Sequence, residues 1–376
     1  DLSALASWSY LKNILQGLTN EFVPSVKRRE VDRPIWMTTA AAKAVQIKQR
    51  RWRRYRAGRT ELVEYKEAEK KSKNLLRKAR RNFERKLAKD IKANPRRFYA
   101  YINRSKKGNA VGPLVDDAGE VHTKEEDIVS LFNETFAAAF NSDFQDPPNE
   151  PTRFGGDSRL LSIQFTPEAV QKKLEKLNPS SSPGPDKVYP RLLKECAEEL
   201  SVPLAIIYGK SLNERKVPDD WKSTNITPIY KKGPKNRAEN YRPINVASVP
   251  GKVMESVMKD SIIDHLKSND CLLHSQHGFV PGRSVTTNLV EYLNVVTSSL
   301  DSGIPFDTIM VDFRRAFDRV PFTGMLAKAK AHGIDGDVLG WITDWTIGRK
   351  QRIVLNGVES DWTDVKSSVV QGSVLG

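Results

Sequence analysis

Apolar side chains recur at steps of seven and four through Leu76, Phe83, Leu87 and Ile91, with lysine and arginine on the intervening positions. That is the period of a helix burying one stripe, and residues 36–107 read as long helices of this kind. Before them, Leu11, Ile14, Leu15 and Leu18 give a short helical pattern that runs into a basic stretch ending at Pro34. Residues 1–35 are too few to form a domain and read as the tail of an upstream region. Residues 108–160 form a mixed connector, broken by Pro147-Pro148 and Gly155-Gly156. From residue 161 the pattern is globular. Thr166 can cap a helix whose first turn holds Pro167, and Val170, Leu174 and Leu177 continue its apolar face. Ser180 to Pro185 is a turn, and further helices are predicted near 188–213 and 250–267. Strand-like runs lie at Asn225–Tyr230, Thr308–Val311 and Arg352–Leu355. The pattern predicts an α+β body with neither internal repeats nor a heptad array.

The chain has 376 residues, 39% hydrophobic and 28% charged, which suits two or three folded domains rather than a disordered polymer. Apolar runs such as Leu204–Ile207 are far shorter than the roughly 20 residues a bilayer span requires, so no membrane partner is expected. Two cysteines, Cys196 and Cys271, exclude a disulfide framework and a cysteine-rich zinc cluster, which fits a reducing intracellular setting. The N-terminus lacks the pattern of a signal peptide. A chain that opens on Asp1 and stops at Gly376 inside a motif reads as a fragment.

Charge changes the picture more than composition does. Between Lys27 and Lys107 there are 29 basic and 8 acidic residues, a net of +21, whereas the remainder nets −6. All the excess positive charge lies in about a fifth of the chain, where it would attract phosphate and release counterions. Arg51, Arg53, Arg54 and Arg56 interleave with Trp52 and Tyr55, and Arg96 and Arg97 stand beside Phe98, Tyr99 and Tyr101. Guanidinium groups beside flat rings suit phosphate contact with base stacking. The plainer reading is a solvated helical hairpin kept soluble by its charges.

Three stretches could carry chemistry. Ile309, Met310 and Val311 predict a buried strand ending in Asp312, and a carboxylate displayed at a strand end can hold a hard divalent cation. Taken alone, such an aspartate is more often an ordinary cap. Tyr230-Lys231-Lys232-Gly233 leads a strand into a basic turn, and Arg242 returns on the next extended segment ahead of Pro243. Cations presented from one hairpin can grip a triphosphate, although an isolated basic turn is usually surface decoration. Gln276-His277-Gly278-Phe279-Val280-Pro281-Gly282-Arg283-Ser284 leads into a helix that Ser284 can cap. No P-loop, dinucleotide fingerprint or nucleophile elbow is present.

The order of these pieces is more specific than any of them. Pro183-Gly184-Pro185-Asp186, Trp221 through Lys232-Gly233, and Asn240-Tyr241-Arg242-Pro243-Ile244 follow one another. Then come Gln276-His277-Gly278-Phe279 with Gly282-Arg283-Ser284, Asp312-Phe313 with Ala316-Phe317-Asp318, and Gln371-Gly372-Ser373-Val374-Leu375-Gly376. Over residues 160–376 this series resembles the reverse transcriptases of non-LTR (LINE-type) retrotransposons of the Jockey and CR1 groups. The basic helical stretch resembles, more weakly, the segment joining endonuclease to polymerase in those elements.

The resemblance implies right-hand polymerase fingers and a partial palm over 161–376, preceded by a basic, mainly α-helical segment that binds nucleic acid. It implies RNA-directed DNA polymerase activity with an RNA template, a DNA primer at target DNA and deoxynucleoside triphosphates, and two Mg²⁺ ions held by three aspartates. Asp312 matches the first of these, with the Phe313 carbonyl beside the metal. Phe317 matches the bulky residue that excludes a 2′-hydroxyl. Arg242 and one or both of Lys231 and Lys232 match triphosphate and template contacts. Gly282 and Arg283 match a template-side fingers motif, and Gln371 and Gly372 match the loop that contacts nucleotide and template. The sequence departs from the family at Val280, where a basic residue is usual. It also stops before the paired aspartates that would complete the metal site, while Asp116-Asp117 and Asp219-Asp220 precede Asp312 and do not replace them. The chain alone is therefore expected to be inactive. The family implies a nuclear site of action, with a cytoplasmic ribonucleoprotein as well. A group II intron enzyme would carry a different fingers pattern, and a non-catalytic RNA-binding relic of a retroelement is the alternative of a different class.

Overall fold

A computed structural model describes residues 2–24, 34–92, 95, 98–99, 101–102, 111–141, 156, 158–313, 315–369 and 371–376. Lys27, Arg28, Arg29, Arg96, Arg97, Pro147, Pro148 and Gly155 lie outside the described residues. The fold is α+β. It divides into two compact units, one formed by Asp1–Pro24 with Gly112–Gly376 and the other by Ser25–Val111.

The smaller unit is a helical hairpin of α2 (Thr39–Arg56) and α3 (Leu62–Lys89). The Thr38 hydroxyl caps α2 by accepting from the Ala41 amide. Ala41, Ala42 and Ala44 are buried on α2, while Ser72, Ala79 and Leu87 are buried on α3. Small residues on both helices let their backbones approach closely, so the stripe read from Leu76, Phe83 and Leu87 continues through Ser72 and Ala79. Trp52 lies against Tyr65 across the turn, with ring centroids 4.8 Å apart.

The larger unit begins with α1 (Ala4–Phe22), capped by Ser3. Residues 1–24 thus pack as part of the same compact unit as residues 112–376. Ala4, Trp8 and Leu15 are buried, whereas Ile14 and Leu18 of the predicted stripe are exposed. Trp8 is the determinant. Its ring meets Trp221 edge-on with centroids 5.2 Å apart, and its Nε1–H donates to Asp220 at 3.0 Å. Lys12 pairs with the same carboxylate at 2.6 Å, and the Ala4 amide donates to Glu214. Asp220 is thus a structural anchor.

Within the predicted connector, residues 111–141 carry regular structure. A hairpin of β1 (Leu114–Val115) and β2 (Val121–His122) precedes α4 (Glu125–Ala137). Phe132 on α4 packs edge-on against Tyr241, and Asn133 donates to the Asp361 carbonyl and the Thr363 hydroxyl.

The predicted cap is present: Thr166 accepts from the Ala169 amide, and Pro167 opens α5 (Pro167–Glu175). Then follow α6 (Pro190–Glu195), α7 (Ala197–Asn213) and the short α8 (Asp219–Lys222). The main sheet holds β3 (Ser223–Tyr230), β4 (Tyr241–Ala247), β5 (Lys350–Leu355) and β6 (Val358–Glu359), in the order β4-β3-β5-β6. β3 and β4 run antiparallel with Ile229 opposite Arg242, β3 and β5 run parallel with Ile226 opposite Ile353, and β7 (Thr363–Asp364) pairs with β5. The remaining helices are α9 (Val249–Ser268), α10 (Val285–Asp301), α11 (Phe322–Ala331) and α12 (Gly336–Thr346). Trp8, Leu174, Leu204, Tyr208, Met254 and Trp341 share one core. Full burial of such side chains contributes roughly 2–3 kcal/mol each.

One predicted element does not form. Thr308–Val311 is irregular, with Ile309 87%, Met310 85% and Val311 76% exposed. A strand needs a neighbouring backbone to bond and a covered face, and among the described residues no strand pairs with this one.

Candidate active site

The basic turn after β3 is built for display. The Lys231 amide donates to the Asn240 carbonyl at 2.9 Å, closing the turn that leads to β4. Gly233 has φ +87° and lies so near the Asn240 side chain that a Cβ there would come within 2.8 Å of it. Lys231, Lys232 and Arg242 are exposed, and none has a carboxylate partner within salt-bridge distance among the described residues. Arg237, by contrast, is neutralised by Asp117 and Glu239. Three cations that the fold leaves unpaired can meet phosphate without first breaking an ion pair.

From the end of β4, Asn245 reaches the C-terminal loop. Its backbone amide and side-chain amide both donate to the Gln371 carbonyl, at 3.3 and 2.9 Å. Just before that loop, the Val369 amide donates to the Phe317 carbonyl at 2.8 Å, and the Ser367 hydroxyl donates to the Asp318 carbonyl at 2.7 Å. Phe317 also meets Phe279 edge-on, with centroids 5.8 Å apart. The blocks around Arg242, Phe279, Phe317 and Gln371 are therefore joined although they are spread over more than a hundred residues.

The Pro183–Asp186 turn braces the same strand. A Cβ on Gly184 would lie 2.5 Å from the Ser248 nitrogen, so only glycine fits there. Asp186 is buried and accepts from the Ser248 hydroxyl at 2.6 Å and the Val188 amide at 3.3 Å. Burial pushes its carboxyl up to about 6 despite those bonds.

Asp312 and Phe313 are exposed, beyond the uncovered Ile309–Val311 segment. Asp318 does not join Asp312 as a second ligand. It turns inward among Phe136, Ile226 and Arg349, where burial raises its carboxyl. Among the described residues, three donor side chains gather at one place, Asp116, Glu120 and His122 on the β1–β2 hairpin, and no such group includes Asp312. One carboxylate does not make the donor set two hard cations require, so the described residues do not by themselves complete a two-metal centre at Asp312.

Two other candidates are engaged differently from expectation. Arg283 donates to the carbonyls of Leu273, His274 and Gln276, the last at 2.6 Å, and so ties down its own loop. His277 is held by Thr287 and Glu291. Ser284 does cap α10, completing a reciprocal box with Thr287. In the smaller unit Arg51 pairs with Glu64, whereas Arg53, Arg54 and Arg56 are exposed without such partners among the described residues.

Sequence reading passed over Asn245 and Glu255. The only signal was a polar residue directly after a motif, and a single glutamate among Val253, Met254, Val257 and Met258, all buried.

Comparison with known proteins bears on these joined motifs. Residues 229–376 match the family model described as reverse transcriptase (RNA-dependent DNA polymerase). The chain is 26% identical over 321 residues to the "Probable RNA-directed DNA polymerase from transposon BS" of Drosophila melanogaster, covering 82% of this chain and 35% of that protein. It is 25% identical over 213 residues to the "Probable RNA-directed DNA polymerase from transposon X-element" of the same species, covering 56% and 23%. It is 26% identical over 218 residues to the "RNA-directed DNA polymerase from mobile element jockey" of Drosophila funebris, covering 58% and 24%. The chain thus spans about a third of the length of the first of these relatives and about a quarter of the other two. Its relatives are the reverse transcriptases of LINE-type elements, the family that its motifs resemble.

Proposed function

We propose that residues 161–376 are the fingers and part of the palm of an RNA-directed DNA polymerase, and that residues 36–107 bind nucleic acid. In the complete protein this polymerase would extend a DNA primer at its target on an RNA template, using deoxynucleoside triphosphates. The observation that carries the reading is the joining of Phe279, Phe317, Asn245 and Gln371 at the strand that also carries Arg242, a cation without a carboxylate partner among the described residues. In this reading Arg242 and one or both of Lys231 and Lys232 would receive the triphosphate, Phe317 would exclude a 2′-hydroxyl, and Gln371-Gly372 would face nucleotide and template. Asp312 would offer one carboxylate, with the Phe313 carbonyl beside it, to Mg²⁺. Further carboxylates are needed for two ions, so the 376-residue chain by itself is not expected to polymerise. Among the described residues no helix is long and apolar enough to cross a membrane, and action in the nucleus follows if the primer is chromosomal.

Replacing Arg242 with Ala in the complete protein tests this reading. The KM for deoxynucleoside triphosphate should rise about tenfold or more while RNA affinity is unchanged, since a charge-assisted phosphate contact is lost. An unchanged KM removes Arg242 from the site. The unpaired Arg53, Arg54 and Arg56 favour a second reading, an RNA-binding relic. Complete protein that binds RNA but does not extend a primer would select it.

A further inference from the structure

Glu255 is 3% exposed, in the middle of α9, yet its carboxylate serves other parts of the chain. One oxygen accepts from the indole N–H of Trp345 at 3.1 Å. The other accepts from the backbone amides of Val374 at 2.7 Å and Leu375 at 3.4 Å. The Arg349 guanidinium, also buried, lies over the Trp345 ring at 4.9 Å and adds favourable charge for the carboxylate. Burying a carboxylate is costly unless its lone pairs are used, and here they hold a loop.

That loop is gripped at its other end as well. Asn245 gives two hydrogen bonds to the Gln371 carbonyl. Gly372 has φ +103° and passes so close to the Asn245 carbonyl that a Cβ would lie 3.0 Å from it. Both grips act on backbone atoms. The side-chain amide of Gln371 has no hydrogen-bond partner among the described residues, so it is left available to a ligand.

We propose that Glu255 and Asn245 are positioning residues, which hold the Gln371–Leu375 segment at its two ends and so aim Gln371 and Gly372 at the incoming nucleotide. This rests on the polymerase reading for what the loop contacts, but the clamp itself is geometry. Neither residue touches the reacting atoms. A hydrophobic residue in place of Glu255 would leave the Val374 and Leu375 amides and the Trp345 N–H unpaired.

Two measurements separate the clamp from the reading it rests on. Amide hydrogen exchange on the 376-residue chain should find Val374 and Leu375 protected. Glu255→Met should speed their exchange by about tenfold or more while amides of α7 stay protected. Asn245→Ala, a milder change at the sheet's edge, should loosen the same loop without unfolding the chain. In the complete protein, both variants should raise the KM for deoxynucleoside triphosphate about tenfold, with RNA binding unchanged and a smaller effect on kcat, because misaim of about an ångström is enough for such losses. Glu255→Gln, which keeps one carbonyl acceptor for the loop, should recover part of that loss. Unaltered exchange in both variants would overturn the clamp. Loosened amides with an unchanged KM in an active enzyme would overturn the positioning role and leave the polymerase reading intact. If wild-type complete protein makes no DNA, the polymerase reading fails, and with it the nucleotide-aiming role, whatever the exchange data report about the loop.

Discussion

The rings of Phe279 and Phe317 meet edge to face at an interplanar angle of 71°. Phe279 achieves this from a backbone with φ +60°, a conformation uncommon for a bulky residue, and it is otherwise 80% exposed. An exposed phenylalanine in a strained turn has little to contribute to the core, so its role is to support Phe317 from the side. Phe317→Ala in the complete protein should therefore raise ribonucleotide incorporation relative to deoxyribonucleotide by about tenfold or more. Phe279→Leu should shift the ratio the same way by less. Incorporation assays with matched triphosphates check both, and an unchanged ratio for Phe317→Ala would remove it from the sugar-facing position.

Trp8 ties the first helix to the body through Trp221 and Asp220. Trp8→Ala should cost about 3–5 kcal/mol of unfolding free energy, the usual range for removing a buried tryptophan. The exposed Tyr10 on the same helix serves as control, and Tyr10→Ala should change stability little. Chemical denaturation of the 376-residue chain measures the difference. Equal effects would mean that α1 does not belong to the cooperative unit.

Asp186 gives the fold a pH dependence of definite sign. Its carboxyl rises from the ordinary 3.8 to about 6, chiefly through burial. Below pH 4 it is protonated whether the chain is folded or not, so it carries no penalty. Between pH 4 and 6 the unfolded chain ionises first, and stability falls as pH rises. Above pH 6 the full cost is present, on the order of 3 kcal/mol. Asp186→Asn keeps an acceptor and removes the ionisation, so the variant should gain on wild type as pH rises from 4 to 7. A constant difference across that range would show that Asp186 is not perturbed.

Arg53, Arg54 and Arg56 are exposed on α2, while Arg51 already pairs with Glu64. Replacing the three unpaired arginines with Ala should weaken binding of single-stranded RNA and reduce the slope of log affinity against log salt by about 2. Arg51→Ala should do less, since its charge is partly satisfied within the hairpin. Filter binding at a series of salt concentrations reads both. An unaltered slope would mark these charges as a solvated face.

How much was legible in sequence depended on whether the signal was local. The Thr166 and Ser284 caps, the stripe on α3 and the strands around Ile226 and Ile353 were readable because each needs only its own neighbours. The Arg242 and Gln371 motifs were readable in order but not in space, since the bond from Asn245 to Gln371 crosses 126 residues. Three features turned on tertiary contacts. Trp8 finds its partner on α8, some two hundred residues away, and no periodicity within residues 1–35 could reveal that. Ile309–Val311 had the composition of a buried strand, but no strand among the described residues pairs with it. Arg283 looked like a free cation until three carbonyls of its own loop were found around it.

The central claim is that this chain is part of an RNA-copying polymerase in which Asp312 serves the chemistry. The most direct measurement is RNA-templated primer extension by the complete protein with Asp312→Asn, alongside RNA binding by the same variant. The account predicts that extension falls by at least about a hundredfold, the scale for losing one electrostatic group at a reacting centre, while RNA affinity stays within a factor of about two. Extension at the wild-type rate by Asp312→Asn would contradict it.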